Sequence, residues 1–323
     1  MFKVGILGAG GMGNAHARHY CSMKDVELTF FDPLEDRRKA FAERHSCAAS
    51  SSADELIKQC DVVDVCLPTD LHLEFGLKAI AAGKAVFMEK PMARTLDEAR
   101  RLIEAADKAK VPLMPGQVVR FFPAYSAAYR RVKAGAIGNP AAVRMRRGGS
   151  APLNGAGNWF MDPQRSGGVI LDLAIHDFDW LRWTLGEVKS LYAKAVVPEG
   201  GCAMYGLTTL TFESGVIAHV ESTWMDPGGF RTTFEVCGSA GMIEHDSRLT
   251  STLRINTQDN PGQEAPLAPA DDPYYQELRG FLDAVKDGTE VPVSAYEGFM
   301  ALSIALAAVE SSETDRAVRP ARS

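Results

Sequence analysis

No apolar run in this sequence approaches the roughly 20 residues that cross a bilayer, and residues 1–7 already read as a strand. Neither a membrane span nor a secretory leader is expected, and the setting should be cytoplasmic. Metal-type cysteine spacing is also missing. The six cysteines (21, 47, 60, 66, 202 and 237) form no C-x-x-C or Cys/His pattern, so we expect no disulfides and no metal. Positive charge is in deficit, with 35 Lys and Arg against 41 Asp and Glu, a net charge of -6 and a pI near 5.7. That balance argues against nucleic acid as a partner. Internal repeats are lacking too, and only residues 260–273, rich in Pro, Ala and Asp, have linker-like composition. The 323 residues, 46% hydrophobic and 24% charged, suit a soluble protein of two domains with substantial cores.

Glycine carries the first positive signal. Residues 3–7 read as a short buried strand, and Gly8, Gly10 and Gly13 follow as G-x-G-x-x-G before a helix-compatible run at 12–21. In that context the first glycine permits a tight turn and the second lets backbone approach a pyrophosphate. The third lets helix pack closely on strand, so the helix N-terminal N–H groups meet an anion. Gly11 and Met12 belong to the same turn. Asp32 ends a second apolar strand at 28–31, close to the spacing of about 20 residues at which a carboxylate grips the adenosine ribose. A carboxylate there repels a 2′-phosphate, so NAD is favoured over NADP, although Arg37 and Arg38 stand near enough to soften the repulsion.

Up to about residue 115, apolar runs alternate with amphipathic segments, the pattern of a doubly wound parallel sheet. Helices are expected from Thr95 to Ala109 and, capped by Asp70, up to Ala82. Further on, residues 168–185 read as one helix, and period-two alternation at 207–212 and 216–223 around a Glu213-Ser214-Gly215 turn predicts an antiparallel hairpin. Strands at 231–237 and 242–245 and helices at 274–286 and 295–314 complete an α+β half. The expected class is therefore α/β followed by α+β, with domains at 1–118 and 119–323. Arg144, Arg146 and Arg147 are expected on the solvent face of a strand.

Two clusters bear chemistry. Glu89-Lys90-Pro91 ends a parallel strand at the edge where such sheets bind ligands; a lysine there can polarise a substrate oxygen, or can simply end the strand in solvent. Asp172 and His176, four residues apart, fall on one face of the expected helix. An imidazole suits hydroxyl proton exchange near neutral pH, yet Asp172 can equally cap a helix and His176 can equally be a packed core residue. Asp179, three residues from His176, can orient its ring.

These residues, with the segments Gly8–Gly13, Pro68-Thr69-Asp70-Leu71-His72, 83–91 and 166–177 and the tail around Ser311-Ser312-Glu313, resemble the Gfo/Idh/MocA family, the glucose–fructose oxidoreductases and inositol dehydrogenases. The resemblance spans essentially the whole chain. It implies an N-terminal Rossmann domain and a mainly antiparallel C-terminal open sheet with helices on one face. The implied catalytic set is Lys90, Asp172 and His176, with hydride moving between a nicotinamide and a secondary hydroxyl of a sugar or cyclitol. It further implies that Pro68, Thr69, His72 and Glu89 line the nicotinamide side, and that the second sheet forms a homodimer or homotetramer. Where many relatives carry asparagine ahead of Arg-Phe, this chain has Gln117, which can take over that contact. Arg120, Trp159 and Arg165 are candidates for the substrate pocket, Arg120 equally for a domain-interface ion pair. A non-catalytic dinucleotide sensor and an NAD-dependent glycosidase-type hydrolase are the alternatives.

Overall fold

The computed structural model describes residues 1–152, 156–249, 253–257, 263–264 and 272–322. These divide into two compact units. The first contains residues 1–117, 156–159 and 272–299, and the second the remainder.

In the first unit the chain runs β1 (Phe2–Leu7), α1 (Gly11–Tyr20), β2 (Val26–Phe31), α2 (Glu35–His45), β3 (Ala48–Ala49), α3 (Ala53–Gln59), β4 (Val62–Val65), α4 (His72–Ala81), β5 (Ala85–Glu89), α5 (Leu96–Ala109) and β6 (Leu113–Gly116). All six strands are parallel in the order β3-β2-β1-β4-β5-β6. Every residue of β4 and β5 is buried, as strands covered by helices on both faces require. The strand order reverses between β1 and β4, which puts the ligand crevice of such a sheet beyond their carboxyl ends.

The helix from Thr95 is present with a full capping box. The Thr95 side chain accepts from Glu98 N, and Glu98 reaches back to the Thr95 N–H. Asp70 departs from expectation, because a single 3-10 turn at Thr69–Leu71 precedes α4 and Leu71 occupies the N-cap. Asp70 therefore lies inside that turn, not at the cap.

The second unit holds α6 (Pro123–Lys133), β7 (Pro140–Gly148), α7 (Gly168–Asp172), α8 (Ile175–Leu185), β8 (Val188–Val196), β9 (Tyr205–Phe212), β10 (Ile217–Thr223), β11 (Arg231–Gly238), β12 (Gly241–Asp246), β13 (Leu253–Thr257) and β14 (Gln263–Glu264). Its sheet runs β14-β13-β12-β11-β7-β10-β9-β8, antiparallel except for the β7–β10 pair. Register puts Val143, Val236, Ala218, Leu210 and Leu191 in one buried row, with Met145, Phe234, Val220 and Thr208 in the next. The opposite face carries Arg144, Glu235, His219, Thr209 and Tyr192. Arg144 fits the solvent face expected of it. Arg147 does not: it is 5% exposed, on the core side, paired with Asp177. The expected linker at 260–273 falls largely outside the described residues.

Helix α9 (Pro273–Asp287) lies against α1, where Arg279 pairs with Asp25 at 2.9 Å and Phe281 meets Phe87 edge-on. Helix α10 (Ala295–Thr314) follows. Among the described residues no helix is long and apolar enough to cross a membrane.

Candidate active site

Because the strands of the first sheet are parallel, Gly8, Asp32, Pro68, Lys90 and Gln117, which follow β1, β2, β4, β5 and β6, all lie at one edge. The glycine turn is shaped as its motif requires. Gly8 has φ of 102°, and a Cβ on Gly13 would lie 1.9 Å from the Gly8 carbonyl oxygen. By contrast, a Cβ on Gly11 would meet nothing within 4 Å, and one on Gly10 only Arg37 Nη1 at 3.9 Å. The turn is thus closed on the protein side and open on the other. Helix α1 begins with no side-chain cap and no acidic residue in its first turn, leaving its N–H groups for an anion.

Asp32, 4% exposed, accepts the Ala9 N–H at 3.0 Å through Oδ2 and the Leu34 N–H at 2.9 Å through Oδ1. Each oxygen keeps a second lone-pair direction for a ribose hydroxyl. Arg38 donates to the Asp32 and Pro33 carbonyls, so it braces the turn. Gln117 is 1% exposed, and its Oε1 has no hydrogen-bond partner among the described residues. Open glycines, a carboxylate with spare acceptor capacity and an orphaned amide oxygen together fit a dinucleotide.

One contributor escaped the sequence reading. Asn14 donates to the carbonyls of Ala9 and Gly10 at 3.0 and 2.8 Å, riveting the turn from inside α1. Its only sequence signal is an amide directly after the third glycine.

Thr69 and His72 are buried, Pro68 half-buried. The His72 ring spans the Pro91 carbonyl at 2.8 Å from Nδ1 and the Leu67 carbonyl at 2.9 Å from Nε2, tying the segment after β4 to the one after β5. Burial outweighs these carbonyls and holds its pKa below the usual imidazole value. Glu89 accepts the Lys90 backbone N–H at 3.1 Å. Burial pushes its carboxyl up, but His16 at 3.2 Å, with Lys90 and His72, outweighs burial and holds it below the usual range. Lys90 itself is half-buried.

Asp172 and His176 occupy two helices, not one. The chain breaks at Leu173 and Ala174 between α7 and α8, because the short α7, entered through Gly167 and Gly168 at positive φ, ends after a single turn. Asp172 is buried and His176 half-buried. The acidic neighbours of His176 are held by arginines. Asp179 takes a bidentate pair from Arg120 at 2.7 and 2.6 Å, and Arg147 holds Asp177 at 2.6 Å while donating to the Tyr125 hydroxyl. Asp179 therefore anchors Arg120. Burial pushes the Asp177 carboxyl up against the pull of Arg147. Arg120, 7% exposed with its guanidinium over Trp183, makes its ion pair inside the second unit. Trp159 lies half-buried in a 3-10 turn at Ala156–Met161, and Arg165 half-buried just ahead of Gly167.

His16, Asp64 and Cys66 bring potential metal-ligand atoms within 4.8 Å of one another. They are already hydrogen-bonded among themselves. Burial and the charge of Asp64 push the Cys66 thiol far up.

The profile described as "Oxidoreductase family, NAD-binding Rossmann fold" matches residues 2–117, and that of the GFO/IDH/MocA C-terminal domain matches residues 125–244. The chain belongs to the Gfo/Idh/MocA oxidoreductase family. Myo-inositol 2-dehydrogenase of Thermotoga maritima is 32% identical to it, over 98% of both chains. Scyllo-inositol 2-dehydrogenase (NAD(+)) of Bacillus subtilis is 29% identical, over 96% of this chain and 93% of that one. A solved probable dehydrogenase from Thermotoga maritima superposes with a TM-score of 0.84 at 30% identity, covering 98% of each chain. As a Gfo/Idh/MocA protein, the chain is an NAD-binding oxidoreductase.

Proposed function

We propose that the protein oxidises a secondary hydroxyl of a sugar or cyclitol, or reduces the matching ketone, with residues 1–118 binding NAD and residues 119–323 binding substrate and a second copy. The observation that carries this is the placement of Lys90 at the carboxyl end of β5, on the same sheet edge as the glycine turn and Asp32, in an NAD-binding oxidoreductase. The inositol dehydrogenases among its relatives support the choice of a polyol.

NAD, when bound, supplies the hydride acceptor. Lys90 holds and polarises the reacting oxygen as an ammonium donor. His176 takes the hydroxyl proton, and Asp172 orients that histidine or binds a neighbouring hydroxyl. Gln117 offers its orphaned oxygen to the nicotinamide side. A cytoplasmic setting and a homodimer or homotetramer formed through the exposed face of the second sheet complete the reading.

The test is a polyol panel assayed by NADH absorbance, run beside Lys90→Met. Turnover by the wild type, lost by at least 10³-fold in K90M with NAD affinity retained, is expected, since the polarising charge is removed and the cofactor contacts stay. Equal turnover by both refutes the assignment.

A further inference from the structure

His16 stands on α1 with none of its surface exposed, between two carboxylates from different strands. Its Nδ1 is 2.8 Å from Asp64 Oδ2 on β4, and its Nε2 is 3.2 Å from Glu89 Oε1 at the end of β5. A neutral imidazole has one N–H and one lone pair. Each nitrogen lies within ion-pair distance of a buried acid, and a doubly protonated ring balances that charge where a neutral one would set a lone pair beside an acid. Asp64 is fully buried and Glu89 is 6% exposed, so water does little to screen the three charges.

The chain of contacts continues outward. The other oxygen of Glu89 accepts the Lys90 N–H at 3.1 Å. Gly116 makes room for this carboxylate, since a Cβ there would come within 3.2 Å of both Glu89 Oε1 and the Phe87 ring. Asp64, His16, Glu89 and the backbone of Lys90 thus form one line from the interior of the sheet to its carboxyl edge.

We propose that His16, held as an imidazolium by Asp64, is a positioning residue that keeps Glu89 ionised and thereby fixes the backbone of Lys90. The role of Lys90 rests on the dehydrogenase reading above; the charge state of His16 and its hold on the Lys90 amide do not. The polar groups facing the imidazole are His19 from its own helix, Asp64 and Cys66 from β4 and the residue after it, Glu89 from the end of β5, and Tyr274 from α9; Tyr20 faces Asp64, Lys90 acts on Glu89, and Glu277 acts on Tyr20 and Tyr274. His72 faces Glu89. Burial opposes protonation of His16, but the charge of Asp64 and the hydrogen bonds to Asp64 and Cys66 outweigh it and raise its pKa well above the ordinary value. The Cys66 thiol lies 3.2 Å from Asp64 Oδ1 and 3.3 Å from His16 Nδ1, closing the inner end of the line.

The experiment uses the full chain with NAD added. Imidazole ¹⁵N spectra, assigned by difference against His16→Gln, should show His16 with both nitrogens protonated at pH 8. In H16Q, whose amide keeps a neutral donor toward Glu89, exchange of the Lys90 amide hydrogen should quicken at least tenfold. With the polyol found to turn over, kcat should fall 10- to 100-fold while KM for NAD stays within about twofold. Glu89→Gln should reproduce the faster amide exchange and the fall in kcat, and adding H16Q to it should change nothing further in either, because both act through one line. A neutral His16 at pH 7 overturns the proposal, as do wild-type amide exchange in H16Q or additive effects of the two substitutions. If H16Q fails to fold, assigning the six other histidines by their own substitutions leaves the His16 signal by elimination, and the wild-type ¹⁵N spectrum still decides. Absence of turnover by the wild type, or full turnover by K90M, would instead sink the dehydrogenase reading and leave the spectral and exchange results standing.

Discussion

Gly13 shows how much one hydrogen atom can matter. With 1.9 Å between a would-be Cβ and the Gly8 carbonyl oxygen, Gly13→Ala must push α1 off β1 or twist the turn. Overpacking of that kind costs about 1–3 kcal/mol, so a lower urea midpoint and a weaker NAD affinity are expected together. An unchanged NAD dissociation constant would mean that the turn does not hold the cofactor. Asp32 was legible in the sequence because strand end and spacing locate it. Asn14 was not, because an amide one residue past the last glycine acquires meaning only when its donors are seen to reach the Ala9 and Gly10 carbonyls.

Helix α8 carries the contrast between reading elements and reading partners. Its existence followed from apolar periodicity, but its acids were harder to assign. Asp177 and Asp179 lie within three residues of His176, and sequence distance cannot say which of them serves the histidine. The partners come from β7 and from the 3-10 turn at Val118–Phe121, at separations of 30 and 59 residues, which no local pattern encodes. Both pairs are nearly dry, so breaking one strands a charge. Asp179→Leu should destabilise the protein by about 3–5 kcal/mol, read as a fall in the urea midpoint. Arg120→Met combined with Asp179→Leu should recover most of that loss, since a pair of apolar groups leaves no buried charge behind. The break between α7 and α8 was likewise hidden, because apolar residues continue through it.

Across the whole chain, the Asp64–His16–Glu89 line predicts how stability depends on pH. His16 is raised above its ordinary 6.5, so its contribution is complete below that value and fades as pH rises through the folded-state value. Glu89 is lowered from 4.5, so its contribution is complete above that value and is lost as pH falls through the folded-state value. Melting temperature should therefore be highest between about pH 5 and 6.5. The alkaline decline should flatten in H16Q, as followed by calorimetry across a buffer series. Association is tested at the same scale. The second sheet's outer face exposes Tyr192, Leu207 and Ile217 among charged neighbours, and light scattering should return two or four times the 35.0 kDa chain mass. A monomeric mass would remove the proposed interface.

Alternation of strand and helix, the glycine turn with its distant aspartate, and the Lys-Pro and Asp…His signatures were all readable from residue order. Each depends on neighbours within a turn, a strand or one βαβ unit, where spacing alone dictates geometry. The return of α9 to α1, the central place of β7 in a sheet whose other strands come later, and the choice of arginine for Asp177 and Asp179 arise only on folding. They depend on which surfaces and charges meet once distant segments are brought together, where burial makes an unmatched charge too costly to leave.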